Sequence, residues 1–480
     1  MKQIIFHAFL FLCFFPLLNA QTSVTKDIKS FGAKGDGITN DQSAFEKAAT
    51  FFNDRGGNGK LTISAGTYII GNQIYTGNKP NSYAYTGKDV LHFTHVSNFS
   101  IEGTAKSILK YADNLRFGSF DPKTRKRYDH SNGFYNTAYV AAIGYCIYFD
   151  NCTGVSINHL SLDGNSKAIN LGGGYGDVGI QLPHYGIFIK DCHAVVINYV
   201  IAHHFACDGI CISNIASTKN DGVQLLNSSF TFNARQGLSW IGGNDLTVNN
   251  CKFDHSGKGN FYSPPGAGVD VEAEIGPVKN GRFTNCEFID NTGPGMVTDQ
   301  GNDSECSFSK CTFWGTTNWS IWVNKPAFTF TDCNVYGSFV WGYDSPDEKN
   351  ATKFLRCSFE DKPYNGIAPY GNFLVESNFK KRLTFTDCNF TANKKKLCWI
   401  ELYSNLDDEK CKFLHCVFTV KNAGYQKGDF VAVMRGVLIE NSIFNFANPD
   451  AKSKNYYIEG FTKPDVPDKK GNKAIYQANK

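Results

Sequence analysis

A five-residue pattern that begins with glycine, Gly186-Ile187-Phe188-Ile189-Lys190, recurs through the middle of this sequence. The later copies are Gly209-Ile210-Cys211-Ile212-Ser213, Gly237-Leu238-Ser239-Trp240-Ile241, Gly268-Val269-Asp270-Val271-Glu272 and Gly295-Met296-Val297-Thr298-Asp299. Their first glycines are separated by 23, 28, 31 and 27 residues in turn, so one fixed strand alternates with loops of variable length. Repeated strands joined by variable loops are typical of a solenoid. The pattern therefore predicts an all-β fold in which each copy adds one coil of a parallel β-helix.

A second repeated phrase has a cysteine followed two residues later by an apolar residue, Phe or Val. It marks another strand of each coil. Its copies are Asn250-Cys251-Lys252-Phe253, Asn285-Cys286-Glu287-Phe288, Lys310-Cys311-Thr312-Phe313, Asp332-Cys333-Asn334-Val335, Arg356-Cys357-Ser358-Phe359, Asp387-Cys388-Asn389-Phe390 and His415-Cys416-Val417-Phe418. Residues two apart on a strand share one face. The chain has 16 cysteines but no CxxC pair of zinc spacing. We interpret the repeated cysteines as a ladder of buried thiols that pack as small hydrophobic side chains.

The N-terminal region carries the words FGAKGDGITND at 31–41, GG at 56–57 and AGTY at 65–68. Between the first two, an amphipathic helix is predicted with Asn40 or Asp41 near its N-cap. Its apolar side comprises Ala44, Phe45, Ala48, Ala49, Phe51 and Phe52. These words resemble the N-terminal module of the pectate-lyase superfamily, which includes polygalacturonase-like proteins related to glycoside hydrolase family 28. The resemblance implies a single-stranded right-handed parallel β-helix with an N-terminal capping helix that shelters the exposed strand edges.

The ends of the chain differ in composition from the repeats. Residues 1–20 read as a secretory signal peptide, with Lys2, an apolar run over 4–18 and a Leu18-Asn19-Ala20 cleavage site. We predict a β-helix domain over 21–447, including the cap at about 27–75, and a polar tail over 448–480. No later segment is long and apolar enough to span a bilayer. A secreted or periplasmic location is therefore expected.

The overall charge gives no indication of nucleic-acid binding. The formal net charge is +4, and loss of Lys2 with the signal peptide would lower it to +3. The oligomeric state is not indicated by the sequence.

The acidic stretch 268–274 is the candidate site. Val269, Val271 and Ala273 would point to one face of a strand, and Asp270, Glu272 and Glu274 to a wet opposite face. Three carboxylates on one face repel one another, so they need a proton, a metal ion or a substrate as a partner.

Stacking the coils about 4.8 Å apart aligns Glu272 with Asp299 and leaves Asp270 about 7 Å along the strand. With Asn318 taken as the start of the next copy, Trp322 falls one coil beyond Asp299 in the same column. We predict Asp270, Glu272 and Asp299 as catalytic carboxylates. Trp322 is predicted as an aromatic platform for sugar.

Further candidates for substrate binding are Arg235, Asp208, Glu274 and Lys190. Arg235 precedes a repeat strand, where it could hold a sulfate or carboxylate. Asp208 lies in Cys207-Asp208-Gly209-Ile210, which is similar to the TDGI phrase of polygalacturonase-like hydrolases. Lys190 begins the outer column that leads to Glu272 and Asp299. The Gly-His-Gly and Arg-Ile-Lys motifs of polygalacturonases are absent.

Three functions are compatible with this pattern. The first is a secreted glycoside hydrolase that cleaves a polysaccharide without a cofactor or metal. The second is a Ca²⁺-dependent polysaccharide lyase, since Glu272-Ala273-Glu274 followed by Lys279 is similar to the Glu-x-Glu-x4-Lys motif of chondroitinase-B-like lyases. The third is a non-catalytic glycan-binding β-helix, because a fold alone does not confer activity.

Overall fold

The computed structural model describes residues 22–77, 84–121, 123–128, 140–173, 182–215, 221–260, 262–377, 381–393, 398–403, 410–421, 430–435, 437–446, 457–459 and 470–476. Short strands dominate this part of the chain, and most pair in parallel with the equivalent strand one coil away. No helix within these ranges has the length and apolar character needed to cross a membrane. The predicted signal peptide, 1–20, lies outside the described residues.

Sheet I carries the glycine-led pattern and is parallel along its whole length. Its strands are Leu91–Thr94, Ile147–Asp150, Ile187–Lys190, Ile210–Ser213, Leu238–Asn244, Val269–Val271, Met296–Thr298, Ile321–Val323, Phe339–Trp341, Phe373–Ser377, Cys398–Tyr403, Phe430–Arg435 and Tyr457–Glu459. The prediction that each glycine-led copy contributes one strand to a common sheet is therefore confirmed.

Sheets II and III form the other sides of each coil. Sheet II contains Val24–Asp27, Asp36–Asn40, Gly57–Thr62, Gly66–Ile70, Ser97–Glu102, Ser107–Tyr111, Thr153–Asp163, His193–His203, Gln224–Leu226, Ser229–Thr231, Thr247–Asn249, Arg282–Thr284, Ser307–Ser309, Thr329–Thr331, Tyr343–Asp344, Thr352–Leu355, Lys381–Thr386, Cys411–Leu414 and Leu438–Glu440. Sheet III contains Glu287–Ile289, Thr312–Trp314, Asn334–Tyr336, Ser358–Glu360, Asn389–Ala392, Val417–Val420, Ile443–Phe446 and Lys473–Tyr476.

The remaining elements are short. A small sheet contains Gln73–Tyr75, Tyr85–Gly87, Arg116–Ser119, Val140–Ala142 and Asn170–Gly172. Two further strands follow the end of Leu238–Asn244: Val278–Lys279 pairs with its last two residues, and Asp303–Ser304 pairs with Val278–Lys279. The helices are the α-helix Gln42–Asp54 and the 3₁₀ turns Ile28–Phe31, Ser166–Ala168 and Glu348–Asn350.

The cysteine phrase forms the corner between sheets II and III. Its first residue adopts a left-handed backbone in every copy, with φ between 52° and 55° for residues as different as Asn250, Lys310 and Arg356. This turn directs the following cysteine and the residue two later into the interior. The 14 cysteines whose side chains the structure describes are all buried and none forms a disulfide, so the interpretation as packed thiols is confirmed for them.

Stacked phenylalanines fill the interior beside the thiols. One ladder runs through Phe283, Phe308, Phe330, Phe354, Phe385 and Phe413, with neighbouring ring centroids 4.6–5.0 Å apart. Burial of one such side chain contributes about 1.5–3 kcal/mol to stability. The repeated Phe therefore holds adjacent coils in register.

The α-helix Gln42–Asp54 closes the N-terminal end of the coils. It buries Ala44, Phe45, Ala48, Ala49 and Phe52, while Phe51 is half-buried. Near its end, Asn53 donates to the His92 carbonyl at 2.9 Å and accepts from Thr94 N at 3.0 Å. Leu91–Thr94 is the first strand of sheet I and has no preceding coil beside it. Asn53 therefore supplies hydrogen bonds to backbone groups at this strand edge that no neighbouring strand reaches. The predicted capping role is confirmed.

The segment 448–480, which we expect to be a polar tail, contributes strands where it is described. Tyr457–Glu459 pairs with Phe430–Arg435 in sheet I, and Lys473–Tyr476 pairs with Ile443–Phe446 in sheet III. Parallel pairing between coils thus continues beyond residue 447.

Candidate functional site

A cleft of about 730 Å³ crosses the outer face of sheet I at the acidic stretch. Its residues are Arg235, Gln236, Tyr262, Pro264, Pro265, Asp270, Glu272, Glu274, Pro294, Val297, Asp299, Gln300, Asn318 and Trp322. Six of the eight predicted site residues thus line it: Asp270, Glu272, Asp299, Trp322, Arg235 and Glu274. The strand register pairs Asp270 with Val297, and the same register continued by two residues places Glu272 beside Asp299 on the adjacent coil.

The strand beneath the cleft is shorter than the seven-residue alternation predicts. It spans Val269–Val271, whose two valines are fully buried in the core. Asp270 points the other way but is only 4% exposed, whereas Glu272 is half-buried and Glu274 is exposed. The prediction of one wet face is therefore wrong for Asp270, because side chains from the preceding coil cover it.

Those covering side chains form a buried polar network. Arg235 Nε donates to Asp208 Oδ1 at 2.9 Å, and Arg235 Nη2 donates to Gln236 Oε1 at 3.2 Å and to Ser239 Oγ at 2.9 Å. Gln236 Nε2 in turn donates to Asp270 Oδ2. Asp270 Oδ1 has no hydrogen-bond partner among the described residues. The network fixes one oxygen of Asp270 and leaves the other without a donor.

The surroundings of Asp270 favour its uncharged form. Burial, followed by the charge of Glu272, raises the pKa of Asp270 well above its ordinary value, and Arg235 opposes this only in part. A protonated carboxyl donates from the oxygen that carries its proton. Burial and the neighbouring Glu272 charge thus both favour the protonated form of Asp270.

Glu272 is the carboxylate whose protonation changes near neutral pH. Burial, with the nearby charges of Glu274 and Asp299, raises the pKa of Glu272 to about 7. A further carboxylate, Asp303, lies close enough to interact electrostatically with Glu272 and is itself buried, with its pKa raised to about 7 mainly by burial. The expectation that one member of the cluster keeps a proton near neutral pH agrees with these shifts.

Aromatic side chains flank the carboxylates. Trp322 lies edge-on to Trp319, with ring centroids 4.9 Å apart, and 6.4 Å from Trp341. Tyr262, which is 39% exposed, lines the cleft with Pro264 and Pro265. The cleft therefore combines acidic groups with flat apolar surfaces, as expected of a carbohydrate site.

The predicted column for Trp322 is wrong by two residues. Val297 pairs with Trp322, so Trp322 belongs to the column of Asp270 and not to that of Asp299. Here Ser320, not Asn318, occupies the position of the repeat glycine, because Gly295 lies against the Ser320 carbonyl. Trp322 still lines the cleft, two coils from Asp270.

Two predicted substrate-binding residues lie elsewhere, and a third has another role. Lys190 is paired with Asp150 at 3.4 Å and does not line the cleft. Asp208 is fully buried beneath the floor. Arg235 reaches the cleft but is 5% exposed and directed to Asp208, which is inconsistent with the prediction that it holds a substrate sulfate or carboxylate.

Sequence reasoning missed Gln236, Tyr262, Trp319 and Asp303. Gln236 follows Arg235 directly, so its proximity to a repeat strand was a usable signal. Tyr262 belongs to a loop and Asp303 to the short strand Asp303–Ser304 outside the repeated pattern, so no periodicity places them.

Two groups bear on metal binding. Lys279, the base required by the lyase motif, is not among the residues that line the cleft. On another side of the coils, Asp163, His203 and His204 bring potential ligand atoms within 4.8 Å of one another. Burial lowers the pKa of His203 and of His204, which favours the neutral imidazole form that can act as a ligand.

The family model for a right-handed β-helix region matches residues 145–339, which include the whole cleft. Among curated protein sequences, none matches this chain.

Several solved structures are similar to this chain at low identity. The N-terminal fragment of bacteriophage phi29 gene product 12 is 14% identical with a TM-score of 0.46, and the alignment covers 94% of this chain and 70% of that one. The A-module of the Azotobacter vinelandii mannuronan C-5 epimerase AlgE6 is 12% identical with a TM-score of 0.41, covering 86% and 98%. A tailspike of Acinetobacter baumannii bacteriophage Fri1, a capsular polysaccharide depolymerase, is 12% identical with a TM-score of 0.37, covering 95% and 63%.

The parallel pairing of strands between coils and the family-model match both indicate a β-helix. The described strands form a parallel β-helix, and the right-handed β-helix that the N-terminal resemblance predicts is confirmed over residues 145–339.

Proposed function

We propose that this protein is a secreted glycoside hydrolase that cleaves a polysaccharide in the cleft on sheet I. One observation carries the proposal: Glu272 and Asp299 stand on adjacent coils in one cleft, and the pKa of Glu272 is raised to about 7. Hydrolysis of a glycosidic bond requires an acid at the leaving oxygen and a second carboxylate at the anomeric carbon or at a water molecule.

Glu272 is the proton donor in this proposal. It is half-buried within the cleft, and a pKa of about 7 leaves a large protonated fraction at neutral pH. Its proton would pass to the glycosidic oxygen as the bond to the anomeric carbon breaks. The resulting carboxylate would be stabilised by Arg235, whose positive charge favours the ionised form of Glu272.

Asp299 is the second carboxylate. It would either attack the anomeric carbon or take a proton from the attacking water, which correspond to retention and inversion of configuration. Asp270 is oriented by Gln236, and burial favours its protonated form; in that form it would donate a hydrogen bond to substrate from the floor. Trp322 would stack on a sugar ring along the coil axis.

The relatives in fold give context for the substrate. The Azotobacter protein is named as a mannuronan epimerase and the Fri1 tailspike as a capsular polysaccharide depolymerase. The signal-peptide features of residues 1–20 support an exported enzyme that acts on polysaccharide outside the cytoplasm.

Digestion of a broad panel of plant, algal and bacterial glycans tests the proposal. We expect new reducing ends without the ultraviolet absorbance of an unsaturated product, and no loss of activity with a chelator. Absorbance that disappears with the chelator would instead indicate the Ca²⁺-dependent lyase. Binding without cleavage across the panel would indicate a glycan-binding β-helix.

A further inference from the structure

The charge of the cleft is strongly one-sided. Four acidic side chains line it: Asp270, whose protonated form burial favours, and Glu272, Glu274 and Asp299. Among its described lining residues, Arg235 is the single cationic side chain. Its Nε and Nη2 atoms are already directed to Asp208, Gln236 and Ser239, at 2.9–3.2 Å. These two nitrogens are therefore committed to the network beneath the cleft floor.

Two described lysines beyond the cleft are also engaged. Lys325 Nζ donates to the Gly301 carbonyl at 2.6 Å. Lys381 Nζ donates to Asn324 Oδ1 at 2.6 Å and lies over the Trp341 ring. Neither lysine lines the cleft.

A polyanionic glycan would be repelled by the negative charge of this cleft. A carboxylate or sulfate on each sugar needs Arg or Lys partners when it leaves water, and like charges at close range in a partly desolvated site repel strongly. Bringing such a substrate beside Glu274 and Asp299 would also raise the pKa of Glu272 further, so that its proton would be transferred less readily.

The remaining surface suits uncharged sugar rings. Tyr262, Pro264, Pro265, Pro294 and Trp322 offer flat apolar faces, while Gln300 and Asn318 offer neutral hydrogen-bonding groups at the rim. Carboxylates accept hydrogen bonds from sugar hydroxyls without needing a counter-charge.

We propose that the cleft binds an uncharged polysaccharide and discriminates against uronate-containing and sulfated glycans. The inference rests on the hydrolase function proposed above and narrows its substrate class. It separates this protein from a polygalacturonate-cleaving enzyme even though the two share a fold.

The sharpest test uses one neutral glycan in two forms. A β-glucan, galactan, arabinan or mannan that the enzyme cleaves is compared with the same glycan after oxidation of a fraction of its primary alcohols to carboxylates; for arabinan, carboxymethylation replaces oxidation. We expect kcat/KM to fall at least tenfold for the charged form at low salt, and the KM for the neutral form to be unchanged between 50 and 500 mM NaCl.

Variants that change the charge inside and outside the cleft provide a second test and its matched control. Gln300→Lys and Asn318→Lys add a cation at the rim without touching Glu272 or Asp299, and should narrow the gap between the charged and neutral forms. Glu287→Lys, on sheet III away from the cleft, should leave the gap unchanged.

The outcomes separate the two proposals. Preferred cleavage of polygalacturonate, alginate or a sulfated glycan would overturn the substrate class while leaving the hydrolase intact. If no glycan is cleaved, the hydrolase proposal fails. Affinity electrophoresis in gels that contain neutral or anionic glycan then still tests the charge preference, since retardation by the anionic gel alone would contradict it.

Discussion

Arg235 donates from Nε to Asp208 Oδ1 at 2.9 Å, and both side chains are at least nine-tenths buried beneath the cleft floor. Removal of one partner would leave the other charge buried without compensation, which typically costs about 3–5 kcal/mol. We expect Arg235→Met and Asp208→Asn each to lower the free energy of unfolding by about this amount in urea titrations. The double variant should lose less than the sum of the two. Additive losses would show that the two charges do not depend on each other.

Glu272→Gln and Asp299→Asn should abolish glycan cleavage while the protein folds normally. Loss of general acid or base catalysis typically lowers the rate by about 10²–10⁴-fold. Initial rates and circular dichroism spectra measure the two effects separately. Glu287→Gln is the matched control, because Glu287 is an acid on sheet III that pairs with Lys252 at 2.7 Å. Full activity in both cleft variants would remove these residues from the mechanism.

The pH dependence of the rate should report the proton on Glu272. Its pKa is raised to about 7, and a proton donor is active only when protonated, so the rate should fall as the pH rises through about 7. Glu274 contributes to the raised pKa through its charge and a hydrogen bond. Glu274→Gln should therefore shift the alkaline limb of the kcat profile to lower pH. An unchanged limb would assign it to another group.

The same shift has a consequence for stability. A carboxyl whose pKa is higher in the folded state than its usual 4.5 binds more protons when folded, so stability decreases as the pH rises from about 4.5 through 7. At pH 8 the ionised form of the half-buried Glu272 destabilises the folded state. We expect Glu272→Gln to be more stable than the wild type at pH 8, by about 1–3 kcal/mol, and to show little gain at pH 4. Equal gains at both pH values would indicate that the charge is not the cause.

The buried thiols should be unreactive in the folded protein. Burial raises the pKa of Cys251 to about 12, and the thiolate is the reactive form. Native protein treated with a thiol reagent should show little labelling at the cysteines described as buried, and denatured protein should show labelling at all of them. A reducing agent should leave Tm unchanged, because the described cysteines form no disulfide. Rapid labelling of the native chain at Cys251 would contradict the packed ladder.

The cap can be tested through Asn53. Asn53→Ala leaves the His92 carbonyl and the Thr94 amide without their side-chain partner, which should cost about 1–3 kcal/mol. Thermal melts should show a lower Tm than for Asp54→Ala, the exposed neighbour on the same helix turn. An equal Tm for the two variants would mean that water replaces Asn53 at the strand edge.

Much of the fold could be predicted because its signals are periodic. The glycine-led copies gave the register of sheet I from Phe188 through Cys211, Ser239 and Asp270 to Val297, and the strand pairs agree. The repeat does not predict the register at Trp322, because Ser320 stands there in place of the glycine that marks the other copies. In the tail, a polar composition gives no signal for the strand Lys473–Tyr476.

The sequence by itself determined the coil and the level at which Glu272 meets Asp299, since both follow from strand alternation and a fixed repeat. Only the tertiary structure decided that Asp270 is covered, that Arg235 is committed to Asp208, and that Lys190 lies outside the cleft. The physical reason is that burial and pairing depend on loops and on side chains of neighbouring coils. Those contacts vary from coil to coil, whereas the backbone repeat does not.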